Sequence, residues 1–105
     1  MQSNEVTQLV EEFLPTLHDG DSIFVSGDFN SVPTDEAVKI IAAKAADTWT
    51  LCGDGSEGWT FNAEKPFERI DYIFQAPTAT WRCANATVPN TLASDHRPFV
   101  ADFAL

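Results

Sequence analysis

Hydrophobic positions near the N-terminus and in the middle of the chain recur at helical spacing. From a candidate cap at Asn4, one face collects Val6, Leu9, Val10, Phe13, Leu14 and Leu17. Pro15 should kink this helix or end it early. After a second candidate cap, Thr34, another face collects Val38, Ile41, Ala42 and Ala45. The pattern therefore predicts two helices that each bury one face.

Shorter apolar runs predict strands around these helices. Residues 22–26 form the first run, which indicates a buried strand, and residues 69–75 are β-branched and aromatic. Residues 78–88 alternate loosely, so we expect them to pair with 69–75 as a hairpin. The last strand is predicted at residues 98–104, where one face collects Phe99, Ala101 and Phe103.

The stretch between the second helix and residues 69–75 is less regular. Within residues 47–58, the composition of residues 52–58 predicts a flexible loop that mixes acids and glycines, but this loop lacks the ligand spacing and terminal Glu of a calcium loop. The run Trp59-Thr60-Phe61 is a candidate short strand. Because neither repeats nor a linker interrupt the chain, we expect a single α+β domain over residues 1–105.

Composition and charge narrow the class of protein. The 105 residues are 44% hydrophobic, which suits one small globular domain. No apolar run approaches the roughly 18 residues of a membrane-spanning helix, and the polar start resembles no secretory signal. We expect a soluble protein whose compartment the sequence does not specify. The net charge of −10 disfavours nucleic acid as a partner, because such binding relies on Lys and Arg contacts.

The two cysteines, Cys52 and Cys83, are too few for a disulfide framework and lack metal-ligand spacing. They can form one bridge in an oxidising compartment or remain buried thiols. Of these two alternatives, we expect buried thiols.

Acidic and amide side chains lie at three predicted strand edges. Asp28 and Asn30 follow the first strand, Asp71 lies within the second, and Asp95-His96 precedes the last. Taken singly, such residues often belong to turns or caps. An acid inside an apolar strand, however, is costly unless it is paired. Because open sheets build their sites at strand ends, we expect these residues to meet.

These side chains suit the hydrolysis of a phosphate ester. That reaction needs neutralised charge on the phosphate oxygens, an activated water and help for the leaving oxygen. Magnesium or manganese supplies much of this and takes carboxylate ligands such as Asp28, Asp71 and Asp95. Asn30 can donate a hydrogen bond to phosphate, and His96 can do the same or carry a proton.

Three motifs in this chain resemble those of a known family. They are Gly27-Asp28-Phe29-Asn30, Arg69-Ile70-Asp71-Tyr72-Ile73-Phe74 and Ser94-Asp95-His96-Arg97-Pro98. In order and interval they are similar to the C-terminal motifs of the endonuclease/exonuclease/phosphatase superfamily, the DNase I-like hydrolases. The resemblance implies part of a four-layered sandwich, α/β/β/α. This chain would supply roughly one β-sheet and its covering helices, which form the C-terminal half of the domain.

The resemblance also implies a role for each site residue. Asp28 would orient or deprotonate the attacking water and approach the metal, while Asn30 would bind the scissile phosphate. His96 would steady the phosphate in the transition state, with Asp71 as its carboxylate partner. Asp95 would lie near a metal ion or its waters. The expected cofactor is Mg²⁺ or Mn²⁺, and the direct ligand is Asp28, Asp95 or both.

Family members carry an N-terminal half, with an early Asn and a Glu that is the principal metal ligand, and this chain shows no counterpart. We therefore expect the true N-terminus to lie upstream, the metal to bind weakly or not at all, and the isolated chain to show little or no catalysis.

One sheet alone would expose a large apolar patch, so we also expect a complementary N-terminal half or self-association through that face. The alternative function is a non-catalytic fragment or assembly module of the same fold. The substrate stays open among nucleic acid, phospholipid head groups, inositol phosphates and small phosphate esters.

Overall fold

The computed structural model describes residues 3–21 and 23–104. Helix α1 (Ser3–Gln8) continues into a π-helical turn (Leu9–Phe13) and a 3-10 turn (Leu14–Thr16). The remaining elements, in chain order, are β1 (Phe24–Asp28), α2 (Glu36–Ala42), β2 (Ala46–Asp47), α3 (Thr48–Cys52), β3 (Asp71–Gln75), β4 (Arg82–Thr87) and β5 (Val100–Ala104). Within the described ranges, no helix has the length and apolar character that crossing a membrane requires.

The first predicted helix forms, but a π-helical turn changes which face it buries. The Leu14 amide donates to the Leu9 carbonyl, five residues back, so the later side chains are rotated relative to a regular α-helix. Val10 and Leu14 are buried as expected, whereas Phe13 is 43% exposed, and its predicted place in the core is wrong. Pro15 lies in the closing 3-10 turn, where the helix ends.

The second predicted helix also forms, with small corrections to its cap and its face. Its N-cap is Asp35 rather than Thr34. Val38, Ile41 and Ala45 are buried as predicted. Ala42 is exposed instead, because it lies at the C-terminal end of the helix, next to Ile41 and off the buried face.

The described strands form two antiparallel sheets, a three-stranded sheet in the order β1-β3-β2 and a two-stranded sheet of β4 and β5. The predicted β3–β4 hairpin and the expectation of roughly one sheet are therefore wrong. Strand β2 pairs with Phe74 and Gln75 at the end of β3 where such a hairpin would have to begin. Because that edge is taken, β4 pairs with β5.

Strand β1 lies two residues further along than predicted, so Gly27 and Asp28 belong to it. Ser22, which begins the predicted strand, lies outside the described residues. The less regular stretch at 47–58 contains the short helix α3, which ends where the predicted loop at 52–58 begins. The candidate strand at 59–61 makes only isolated bridges through Phe61.

The two faces of the three-stranded sheet differ in character. One face presents Val25, Tyr72 and Phe74 to the core, together with Phe29 and the apolar sides of α1 and α2. The other face is more open. No residue of β1 is buried, and Val25 is only partly buried against the core, so the prediction of a buried first strand is wrong. Because side chains alternate along a strand, this open face carries Asp28 and Asp71.

A disulfide joins Cys52, at the end of α3, to Cys83 in β4. The expectation of buried thiols is therefore wrong, and the bridged alternative is correct. The two residues are 31 positions apart, and only the packing of α3 against β4 brings their Cα atoms to 6.0 Å.

Candidate functional site

The antiparallel register of β1 and β3 places two acids side by side. Asp28, the last residue of β1, is opposite Asp71, the first residue of β3. Two carboxylates directly across a strand pair repel each other unless a positive group lies between or beside them. The position therefore favours a histidinium or a cation.

His96 occupies that position. Its Nδ1 lies 2.8 Å from Asp71 Oδ2, and its Nε2 lies 3.7 Å from Asp28 Oδ2. Because an ionised carboxylate only accepts hydrogen bonds, Nδ1 carries the proton in the bond to Asp71. The sequence-predicted residues Asp28, Asp71 and His96 thus meet at one place, which we call the acid–histidine cluster.

The electrostatics of the cluster favour a protonated imidazole. The hydrogen bond to Asp71 raises the pKa of His96 above its usual 6.5, and the charges of Asp71, Asp28 and Asp95 raise it further. Partial burial of the ring opposes this effect. The imidazole side chain is only 26% exposed, and the Phe61 ring lies against it with the ring centroids 5.0 Å apart.

Asn30 lies beside the cluster, just beyond the end of β1. Its backbone amide donates to Asp28 Oδ1 over 2.7 Å. Its φ of 49° is left-handed, a conformation that asparagine tolerates better than most residues. This local bond fixes the backbone of Asn30 next to the Asp28 carboxylate. The side chain of Asn30 is exposed, so its predicted role in binding phosphate stays a prediction.

Asp95 lies outside the acid–histidine cluster. Its exposed carboxylate accepts a hydrogen bond from Ser94 Oγ over 3.2 Å, and its carbonyl accepts one from the Ala63 amide over 2.7 Å. Its direct effect on the cluster is electrostatic, through the pKa of His96. The role of Asp95 as a metal ligand stays a prediction.

The cluster is a partial ligand set for a divalent cation. Within the described part of the chain, the donor atoms of Asp28, Asp71 and His96 lie within 4.8 Å of one another. The two carboxylates are the hard oxygen donors that Mg²⁺ and Mn²⁺ prefer, but Mg²⁺ takes six ligands. His96 bonds to Asp71 through Nδ1, which leaves Nε2 as its remaining donor atom, but Mg²⁺ prefers oxygen, so the carboxylates are the better ligands here. The two carboxylates therefore suit the expected metal, but they provide only part of the six ligands that Mg²⁺ takes.

The cluster opens into a groove of about 460 Å³ on the exposed face of the sheet. Its lining combines polar side chains, those of the cluster and Ser94, with the apolar side chains of Ile73, Pro98 and Phe99. A groove of this size accommodates a small phosphate ester beside the imidazole.

The matching family model places this geometry in a known group of proteins. The Endonuclease/Exonuclease/phosphatase family model matches residues 4–96, a range that includes every residue of the cluster. The chain belongs to the endonuclease/exonuclease/phosphatase family. Family membership confirms the resemblance that the three motifs carry, and metal dependence is typical of the family.

The fold of this family member is also similar to a solved structure, a functionally unknown conserved protein from Enterococcus faecalis V583. The two structures superpose with a TM-score of 0.68, and their sequences are 23% identical. The match covers 95% of this chain but 41% of that chain, and at this identity it supports the architecture alone. No curated protein sequence matches this family member.

Sequence reasoning missed one contact in this family member's site. The sequence pattern predicts Phe61 only as part of a short strand, yet Phe61 forms bridges to both Glu68 and His96 and packs on the imidazole. An aromatic residue some 35 positions before a histidine gives no sequence signal of this contact. Only the tertiary structure reveals it, because folding places residues 59–63 against both Glu68 and the loop that carries His96.

Proposed function

We propose that this chain is part of a metal-dependent phosphoesterase that hydrolyses phosphodiester or phosphomonoester bonds by metal-assisted attack of water. The observation that carries the proposal is the imidazole of His96, which bonds to Asp71 and directs Nε2 toward Asp28 and the groove. Family membership supports the same chemistry.

In this proposal the side chains divide the chemistry between them. Asp71 holds the Nδ1–H of His96, so Nε2–H is free to donate to a phosphate oxygen in the groove. Asp28, with 48% of its side chain exposed, orients the attacking water and takes its proton. Asn30 donates an amide hydrogen to the phosphate without adding negative charge. A bound Mg²⁺ or Mn²⁺ would supply charge neutralisation on the phosphate, held by Asp28 and Asp71, with Asp95 nearby.

We further propose that the chain forms one half of a four-layered sandwich whose complementary half covers the open face. Large apolar side chains are exposed, among them Phe24, Leu51, Trp81 and Val100. The chain also spans only 41% of the solved structure that it matches. The complementary half would supply the remaining metal ligands, so we expect little or no Mg²⁺-dependent turnover of bis(p-nitrophenyl) phosphate by this chain alone. Rates near those of intact relatives would contradict that expectation.

Metal and phosphate binding test the proposed site without requiring turnover. In NMR spectra of the chain, we expect trace Mn²⁺ to broaden the signals of Asp28 and Asp71 first, and inorganic phosphate to shift those of Asn30 and His96. Asp28→Asn should weaken Mn²⁺ binding about tenfold or more, because it removes a carboxylate ligand. Asp102→Asn, which changes an exposed acid of β5 outside the cluster, is the matched control.

The alternative is a non-catalytic fragment or assembly module, and the exposed apolar side chains favour it as a second candidate. It predicts that Mn²⁺ and phosphate produce no change centred on the cluster. It also predicts a concentration-dependent dimer in sedimentation experiments, formed through the open face. Because Asn30 and His96 belong to this chain, phosphate that leaves their signals unchanged would overturn the phosphoesterase proposal, whereas dimerisation by itself would not.

A further inference from the structure

We propose that Thr60 is a positioning residue for the acid–histidine cluster, an inference that rests on the proposed function of that cluster. Thr60 is fully buried and lies in the 59–63 segment, between the stretch that leads into β3 and the loop that carries His96. Its side chain and its backbone bond to the two segments whose side chains form the cluster.

The hydroxyl of Thr60 holds the backbone of Asp71. Its Oγ1 accepts hydrogen bonds from the amides of Ile70 and Asp71, each over 3.3 Å. Asp71 is the first residue of β3, where the regular strand bonding begins. The hydroxyl therefore fixes the point from which the Asp71 carboxylate reaches His96.

The backbone of Thr60 holds the other segment. Its carbonyl accepts a hydrogen bond from the Arg97 amide over 2.7 Å, one residue after His96, and its amide donates to the Glu68 carbonyl over 2.8 Å. The next residue, Phe61, packs on the imidazole of His96. Thr60 thus connects the two ends of the Asp71–His96 hydrogen bond, and its hydroxyl is the part that a substitution can remove.

The chain offers a matched control at Thr48. This threonine is also fully buried, and its hydroxyl also bonds to the backbone of β3, donating to the Ile73 carbonyl over 2.9 Å. That bond lies two residues beyond Asp71 and does not involve the cluster. A merely structural role would make Thr60→Val and Thr48→Val equivalent, whereas positioning makes them different.

The test compares Thr60→Val, Thr60→Ser and Thr48→Val by NMR in metal-free buffer at one alkaline pH. For Thr60→Val, we expect the ring ¹⁵N shifts of His96 to move from the Nδ1–H form toward those of a free imidazole. We also expect the Asp71 amide to exchange with solvent about tenfold faster, since its acceptor is gone. Thr60→Ser should restore both values, and Thr48→Val should change neither.

Unchanged His96 ring shifts in Thr60→Val, equal effects of Thr48→Val, or no rescue by Thr60→Ser would each overturn the proposal. If Thr60→Val does not fold, the wild type and Thr60→Ser carry the test. A slowly exchanging Asp71 amide in both proteins supports positioning, and a rapidly exchanging one in the folded wild type overturns it. None of these readouts uses turnover, metal or phosphate, so this inference and the phosphoesterase proposal can fail separately.

Discussion

At the scale of single residues, the site depends on one imidazole between two carboxylates. Asp71 is mostly buried and hydrogen-bonded, while Asp28 is about half exposed and faces the groove. Under the proposed function this difference suits the two acids to different roles, because the held carboxylate orients the ring and the more open one can reach the attacking water. The three residues were predictable from the sequence as strand-edge acids and a histidine. That Asp95 lies outside the cluster was not.

The pH dependence of stability should report the Asp71–His96 bond. Because the folded protein raises the pKa of His96, this group contributes fully to stability below its unfolded pKa of about 6.5. The contribution is lost as pH rises through the folded pKa. We expect Asp71→Asn to lower the free energy of unfolding by about 1–2 kcal/mol near pH 6 and by less near pH 9.

Urea unfolding of the metal-free wild type and Asp71→Asn at both pH values measures this difference. Asp102→Asn, which lies outside the cluster, serves as the control and should show no such pH dependence. An effect of Asp71→Asn that is equal at pH 6 and pH 9, or larger at pH 9, would show that the charged pair does not form.

At the scale of elements, residues 47–58, which show no regular pattern in the sequence, are organised around a tryptophan. Trp49 of α3 is 8% exposed, and its indole N–H donates to the Ser56 carbonyl over 2.9 Å. Asp47 caps α3 through the Trp49 amide and pairs with the buried guanidinium of Arg69. A helix of five residues is too short to show a periodic signal, so the sequence pattern missed this element.

Gly58 should be essential to the packing of Trp49. Its φ is +69°, and a Cβ there would lie 2.6 Å from the indole Nε1. We expect Gly58→Ala to lower the free energy of unfolding by about 2–4 kcal/mol, from left-handed strain together with overpacking. Gly55→Ala tests the strain alone, because Gly55 has a φ of +87° and an added Cβ there would have no neighbour within 4 Å.

Chemical denaturation of both glycine variants separates the two effects. We expect Gly55→Ala to lose only about 1–2 kcal/mol. Equal losses for Gly55→Ala and Gly58→Ala would mean that the indole yields without cost, and that the contact between Gly58 and Trp49 does not restrain the segment.

At the scale of the whole molecule, the two sheets are connected by a few specific links. The Cys52–Cys83 disulfide ties α3 to β4, and a contact between the rings of Phe24 and Phe103, 4.6 Å apart, joins β1 to β5. Because β5 begins four residues after His96, these links also restrain the loop that carries the imidazole. The remaining open face agrees with the proposed complementary half.

Reduction of the disulfide should therefore destabilise the whole domain. A bridge between residues 31 positions apart lowers the conformational entropy of the unfolded chain. In the loop-entropy relation this stabilises the folded state by about 3–4 kcal/mol. We expect dithiothreitol to lower the free energy of unfolding of the wild type by about this amount. The double variant Cys52→Ser, Cys83→Ser should start lower and show no response to reductant. A wild type that is equally stable with and without reductant would contradict this prediction.

The sequence by itself determined the family, the two helices, the approximate strands and the residues Asp28, Asp71 and His96. These follow from local signals, such as periodic apolar positions and polar groups at strand edges, which each segment carries within a few residues. Only the tertiary structure decided that β4 pairs with β5, that Cys52 and Cys83 are bridged, that Phe13 is exposed, and that Thr60 and Phe61 lie between the two halves of the cluster. Those features depend on contacts between distant segments, which compete for the same strand edges and the same space.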